Sequence, residues 1–267
     1  MNPIGVFDSG LGGLTVLKEL QATLPYENIL YFGDTAHVPY GNKSAETIIR
    51  YSVAIANFLI EQKIKLLIVA CNSASAYALE SIQMLVDIPV IGVIEPGAKT
   101  AAALSVSKRI GVLGTKATIR SNAYQTSILS LAPGAEVFPV CCPLFVPLVE
   151  EDYLGKPAAK LIVCDYLSSL KKHSIDTLLL GCTHYPLLKK LIVNEVGPLV
   201  KLVDSASTCA GQAKEILEDL KLMNESPNPF TRFFVSDDPE SFKRAGGLFL
   251  RRPIDHVETV SELYQKI

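Results

Sequence analysis

Apolar residues in this chain gather into short unbroken runs that alternate with longer stretches of helical periodicity. Ile4-Gly-Val-Phe7, Ile29-Leu-Tyr-Phe32, Leu67-Ile-Val-Ala70 and residues 90–94 are of the first kind. Such runs keep no polar face for water, so each reads as a strand covered on both sides, as in a parallel sheet. Residues 44–63 are of the second kind: Ile48, Ile55 and Leu59 form one stripe of an amphipathic helix, with Ile49, Val53, Ala56 and Ile60 beside it. Further helices are expected through Leu14, Leu17 and Leu20 and from about residue 73 to 86. Strands alternating with helices predict an α/β fold, because parallel neighbours need a crossover and a helix usually supplies it.

The pattern then begins again. Ile110-Gly-Val-Leu113 matches Ile4-Gly-Val-Phe7, Leu178-Leu-Leu-Gly-Cys182 matches Leu67-Ile-Val-Ala-Cys71, and residues 199–203 echo 90–94, all at a nearly constant lag. A constant lag across three elements indicates two related halves. The expected architecture is two pseudo-symmetric doubly wound α/β domains with a ligand in the cleft between their strand ends. The tail, helical in pattern at 209–222 and 239–250 with a short strand at 233–236, is expected to pack on the first half. The boundaries are expected at 1–95 plus 208–267 for the first domain and 96–207 for the second.

Candidate chemistry lies where strands stop. Cys71 and Cys182 each follow a buried run and precede a helix start. Two thiols approaching one cleft from opposite sides suit the inversion of a carbon stereocentre without a cofactor. One group removes a proton from one face, the other returns one to the opposite face, and the reverse reaction exchanges their roles. A thiol has a reference pKa of about 8.5, which a helix N-terminus or a positive group lowers toward neutrality. Asn72 and Ser73 after Cys71, and Thr183 and Pro186 after Cys182, are residue types that cap or open helices. Exposed amides at such starts suit a carboxylate. His184 is placed to share a proton with Cys182, and Asp8, on a neighbouring strand end, with Cys71. Asp8 and Ser9 could equally cap the first helix.

The glycines of the 8–13 loop match neither a P-loop nor G-x-G-x-x-G, and read as a tight turn needing positive φ. His37 stands in a loop dense in turn formers with no evident partner, and is left outside the site. Cys141, Cys142, Cys164 and Cys209 are read as structural.

Composition narrows the class. The chain has 267 residues, 49% hydrophobic and 19% charged, with net charge -2 and no long basic run, so nothing favours nucleic acid or an anionic membrane as partner. Six dispersed cysteines without CxxC spacing argue against both disulfides and a metal. No cofactor is expected. The first residues lack a basic n-region and an apolar h-region, so a cytoplasmic location is expected. The longest apolar run, 137–149, is broken by Pro139, Pro143 and Pro147 and is too short to span a bilayer.

Taken together, Phe7-Asp-Ser-Gly-Leu-Gly-Gly13, Gly33-Asp-Thr35 with Val38-Pro-Tyr-Gly41, Ala70-Cys-Asn-Ser-Ala-Ser75, Cys142-Pro-Leu-Phe-Val-Pro-Leu-Val-Glu150 and Leu180-Gly-Cys-Thr-His-Tyr-Pro-Leu187 resemble the glutamate racemases of the aspartate/glutamate racemase superfamily. The resemblance spans nearly the whole chain. It implies two α/β domains, interconversion of L- and D-glutamate for peptidoglycan synthesis, no cofactor and a homodimer. It implies Cys71 and Cys182 as proton donor and acceptor, assisted by Asp8, Glu150 and His184. Substrate contacts would come from Asp8, Ser9, Tyr40, Gly41, Asn72, Ser73, Thr183 and His184, with Thr115 and Thr118 added.

The chain departs from the family pattern at Ser73, usually threonine, and at Asp152 in Glu150-Glu-Asp152, usually glycine. Its amino terminus lacks the extension of relatives that respond to a cell-wall precursor, so no such activation is expected. The alternatives are an aspartate or other amino-acid racemase of the same superfamily, a two-lobed amino-acid-binding protein, and a redox protein with a reversible Cys71–Cys182 disulfide.

Overall fold

The computed structural model describes residues 2–261 and 263; residues 1, 262 and 264–267 of the expected first domain lie outside the described residues. The strands are β1 (Ile4–Asp8), β2 (Ile29–Gly33), β3 (Leu66–Val69), β4 (Val90–Gly92), β5 (Arg109–Gly114), β6 (Glu136–Cys141), β7 (Thr177–Gly181), β8 (Lys201–Asp204), β9 (Thr231–Val235) and β10 (Glu258–Thr259). The helices are α1 (Leu14–Thr23), α2 (Ala45–Glu61), α3 (Asn72–Gln83), α4 (Ile94–Leu104), α5 (Lys116–Arg120), α6 (Ala123–Leu131), α7 (Phe145–Glu150), α8 (Pro157–Ser168), α9 (Lys189–Val196), α10 (Ser205–Asp219) and α11 (Pro239–Leu250).

Two parallel sheets result, one in the order β10-β9-β2-β1-β3-β4 and the other β6-β5-β7-β8. Their shared part has one topology: β2-β1-β3-β4 in the first sheet corresponds to β6-β5-β7-β8 in the second. Cys71 follows β3 and Cys182 follows β7, so the repeated apolar runs occupy equivalent strands. β1, β2, β3 and β7 are buried along their whole length, as their unbroken apolar runs require.

Helix α4 carries the chain from the first sheet to the second and α10 carries it back, and the two pack on each other. One apolar cluster contains Ile68 and Val93 from the first half and Leu178 and Leu180 from the second, so the halves share a core. The returning tail is tied down by a buried ion pair, Lys65 Nζ to Glu27 Oε2 at 2.6 Å. Lys65 also donates to the Leu222 carbonyl at 2.5 Å, and Glu27 Oε1 accepts from the Asn224 amide at 2.7 Å. Strands β9 and β10 then extend the first sheet beyond β2.

Several boundaries differ from the expected ones for local reasons. Helix α2 opens after Ser44, whose Oγ accepts from the Thr47 amide and so caps it. Helix α10 begins at Ser205 rather than Cys209, because Asp204 caps it through the Ala206 amide at 2.9 Å; its small, polar first turn shows no apolar stripe. Strand β9 begins at Thr231, two residues earlier than expected, through its pairing with β2. After Cys182 there is no α-helix start but a 3-10 turn, Tyr185–Leu188, with α9 following. Asp152 has φ of 52°, the left-handed region that glycine adopts freely, so the turn after Glu150 keeps the conformation the usual glycine would favour.

Candidate active site

The carboxyl ends of β1 and β3 face those of β5 and β7 across a cavity of about 280 Å³. Ligand pockets run from roughly 300 to 1,000 Å³, so this one suits a small metabolite. Ser9, Tyr40, Gly41, Cys71, Asn72 and Ser73 line it from the first half, and Thr115, Glu150, Cys182, Thr183 and His184 from the second. Asp8 and Thr118 stand behind the wall, 0% and 1% exposed. Cys141, Cys142, Cys164 and Cys209 do not line the cavity, and all six cysteines are free. Among the described residues, no cluster of His, Cys, Asp and Glu could hold a metal ion.

On the first side, Cys71 Sγ lies 3.5 Å from Ser9 Oγ, toward which it donates. Parallel pairing of β1 with β3, Phe7 beside Val69, brings Asp8 to the Cys71 end of the sheet. Asp8 Oδ2 accepts from the Gly10 amide at 2.8 Å, and Oδ1 faces the Thr183 hydroxyl of the other half at 3.4 Å. Asp8 thus ties its own loop through Gly10 and also meets the backbone of Gly13, the residue that opens α1. Burial raises the Asp8 pKa, with the charge of His184 opposing. Burial, reinforced by the Asp8 charge, pushes the Cys71 thiol up to about 12. At neutral pH this thiol keeps its proton.

On the second side, Cys182 Sγ is 3.9 Å from His184 Nδ1, and His184 Nε2 is 2.9 Å from Glu150 Oε1 at the end of α7. Burial alone would depress the histidine, but hydrogen bonds and charge from Cys182 and Glu150 prevail and push it up to about 10. At neutral pH an imidazolium thus stands beside Cys182. Phe249 of α11 covers the imidazole edge-on, with ring centroids 5.5 Å apart.

The glycine loop holds the two sides together by closeness rather than by an unusual φ. None of its glycines has positive φ, contrary to the tight-turn reading. A Cβ on Gly12 would instead stand 2.1 Å from Thr183 Oγ1 and 2.5 Å from the His184 ring, so only glycine lets this loop approach the second half. Thr15 completes the contact by donating to the Thr183 carbonyl at 2.9 Å.

Asn72 and Ser73 lie in the first turn of α3, after Cys71 as cap residue, and their side chains reach across the cleft instead of capping. Ser73 Oγ lies 3.0 Å from Thr115 Oγ1 and 3.3 Å from Thr118 Oγ1, and the two threonine hydroxyls are 3.1 Å apart. Three hydroxyls from two halves thus form one cluster of donors beside a helix N-terminus, an arrangement suited to a carboxylate. Thr183 likewise is no cap; its hydroxyl is turned to Asp8.

Sequence reasoning missed Asp34. This buried carboxylate accepts from Tyr40 Oη at 2.6 Å and from Ser236 at 2.7 Å, and lies 2.9 Å from His37 Nδ1. It fixes the loop that brings Tyr40 and Gly41 to the cavity, and it gives His37 the partner the sequence did not show. The available signal was its position directly after β2, next to Asp8 in the sheet.

Similarity to known proteins follows the same residues. The sequence pattern of the Asp/Glu/Hydantoin racemase family matches residues 4–213. A glutamate racemase from Geobacter metallireducens is 53% identical over 259 residues, covering 97% of this chain and 96% of its own length. The solved structure of glutamate racemase from Francisella tularensis in complex with D-glutamate has a TM-score of 0.93 at 42% identity, covering 99% of this chain and 98% of that one. A glutamate racemase isoform from Bacillus anthracis has a TM-score of 0.94 at 39% identity, covering 97% of each chain.

Proposed function

The chain belongs to the Asp/Glu/Hydantoin racemase family, and on that premise we propose that it interconverts L-glutamate and D-glutamate by proton transfer between two thiols, without a cofactor. The observation that carries this reading is the placement of Cys71 and Cys182 on one small cavity, each after the corresponding strand of its half.

In the direction begun by Cys182, the His184 imidazolium stands beside its sulfur and Cys71 holds a proton. Cys182 removes the α-proton from one face of the substrate, and Cys71 delivers its own proton to the other. The reverse direction starts with Cys71 as base: Asp8, whose raised pKa suits holding a proton, takes the Cys71 proton, and the His184 imidazolium gives its proton to Cys182, which delivers it to the opposite face. Glu150 keeps His184 charged and oriented. Among the described residues, Lys116 is the only basic side chain other than His184 along the cavity wall, so we assign the substrate carboxylates mainly to neutral donors: the hydroxyls of Ser73, Thr115 and Thr183, with Thr118 bonded behind the first two, the Asn72 amide, and backbone near Tyr40 and Gly41. Asp8 and Ser9 are assigned to the ammonium end.

We further infer the domain division 1–95 with 208–267 against 96–207, following the strands of the two sheets. A cytoplasmic location fits six unpaired cysteines, two of them needed reduced, and no helix among the described residues is long and apolar enough to cross a membrane. The product role is D-glutamate for peptidoglycan, and the assembly is a homodimer, both carried by the family likeness.

Reduced protein incubated with L-glutamate or L-aspartate in deuterated water tests the reading. Loss of optical rotation with α-deuterium uptake from glutamate is expected. Preference for aspartate would move the assignment to the related racemases, and inertness toward every acidic amino acid would overturn it.

A further inference from the structure

Tyr124 of α6 does not line the cavity, yet it touches the neighbours of both thiols. Its ring lies against the backbone of Gly181, the residue before Cys182; a Cβ there would stand 2.8 Å from Tyr124 Cε2. Its hydroxyl crosses to the first half and donates to Oδ1 of Asn72, the residue after Cys71, at 2.6 Å. Gly97 of α4 approaches the same ring, with a built Cβ 3.5 Å from Cε1, and Ser205 of α10 stands beside the hydroxyl. The side chain therefore sits where both crossover helices meet, 1% exposed.

We propose that Tyr124 is a positioning residue that holds the Asn72 carboxamide with its amino group presented to the substrate. A carboxamide has one accepting end and one donating end. Burial raises the Tyr124 pKa, so the phenol stays protonated and donates, which commits Asn72 Oδ1 to it. The other end, Nδ2, is buried without a partner while Asn72 lines the cavity. A buried donor left unpaired is unfavourable, and an incoming carboxylate supplies the missing acceptor. Without the phenol hydroxyl the carboxamide is free to turn over and present its oxygen, which repels a carboxylate. The identity of that carboxylate as glutamate rests on the function proposed above.

Tyr124→Phe keeps the ring against Gly181 and removes only the hydroxyl. The expected result is a rise of about tenfold in KM for both enantiomers, the size of one lost hydrogen bond, with kcat close to wild type. Calorimetric Kd for D-glutamate should rise in parallel and the thermal midpoint should stay near that of wild type. Because Tyr124 acts through Asn72, adding Tyr124→Phe to Asn72→Ala should cost nothing further. Wild-type KM and Kd in Tyr124→Phe, or the same tenfold loss in the Asn72→Ala background, would overturn the inference while leaving the function standing. Wild-type protein that neither binds nor racemises glutamate would instead remove the function, and the ligand part of this inference with it.

Discussion

Cys71 and Cys182 follow corresponding strands of two four-strand units with one topology, yet one stands beside a buried carboxylate and the other beside an imidazolium. The shared strand order explains why the thiols face one cavity. It does not explain their chemistry, because the partners come from different places. Asp8 ends β1 in the same sheet as the Cys71 strand, whereas Glu150 ends α7, a short helix whose place in the first half is taken by the 3-10 turns Thr35–His37 and Tyr40–Asn42. Fold duplication places the thiols, and unshared elements make them unequal. The two sides are also joined to each other, through Thr183 facing Asp8 and through Gly12 against Thr183 and His184.

The largest expected effect comes from removing either thiol. Cys71→Ala and Cys182→Ala should each lower racemisation by about 10²–10⁴-fold or more, the scale of positioned acid–base catalysis. Each variant should still exchange the α-proton of one enantiomer with deuterated water, and the two variants should favour opposite enantiomers. Exchange of the same enantiomer by both would break the picture of two thiols on opposite faces.

A smaller effect separates the two electrostatic settings. Glu150→Gln removes one of the causes that raise His184, so the alkaline limb of kcat/KM should move from about pH 10 to lower pH. The equilibrium constant between enantiomers is unity, so kcat/KM must stay equal in both directions. The inequality of the thiols should appear instead in kcat and in the primary isotope effect, with the direction begun by Cys182 the more affected. An unchanged alkaline limb would sever Glu150 from the Cys182 side.

The same histidine links pH to stability. Its pKa is higher in the fold than the ordinary 6.5, so its stabilising share is fully present below 6.5 and is lost as pH rises through about 10. Denaturant titrations should show that loss in wild type and a smaller one in Glu150→Gln. Equal pH dependence in the two proteins would contradict it. Smallest of all, Asp152→Gly should relieve the left-handed residue at φ 52° and change stability by less than about 1 kcal/mol, with rates unaltered in both directions.

Much of this was legible in the residues. The unbroken apolar runs located β1, β2, β3, β5 and β7 because a strand buried on both faces admits no polar position. The thiols, Asp8 and His184 stood out because polar groups at the ends of such runs have few structural uses. Glu150 came only through resemblance. It sits in a proline-rich segment with no strand signal, and only the fold of α7 brings it to His184. Gly12, Asp34 and Tyr124 were missed or misread for one reason: each acts on a side chain distant in sequence, and no local pattern records that contact. Thr183 and Asn72 were read as caps because their types favour caps locally, whereas tertiary partners claim them.

The central claim is that two differently held thiols exchange the roles of acid and base. Wild-type protein in deuterated water, sampled by mass spectrometry at early conversion from each pure enantiomer, tests it most directly. The account predicts deuterium in the product enantiomer and almost none in recovered substrate, in both directions, because the removed proton and the delivered one reside on different sulfurs. Equal deuterium in product and recovered substrate would mean one group serving both faces, and would contradict it.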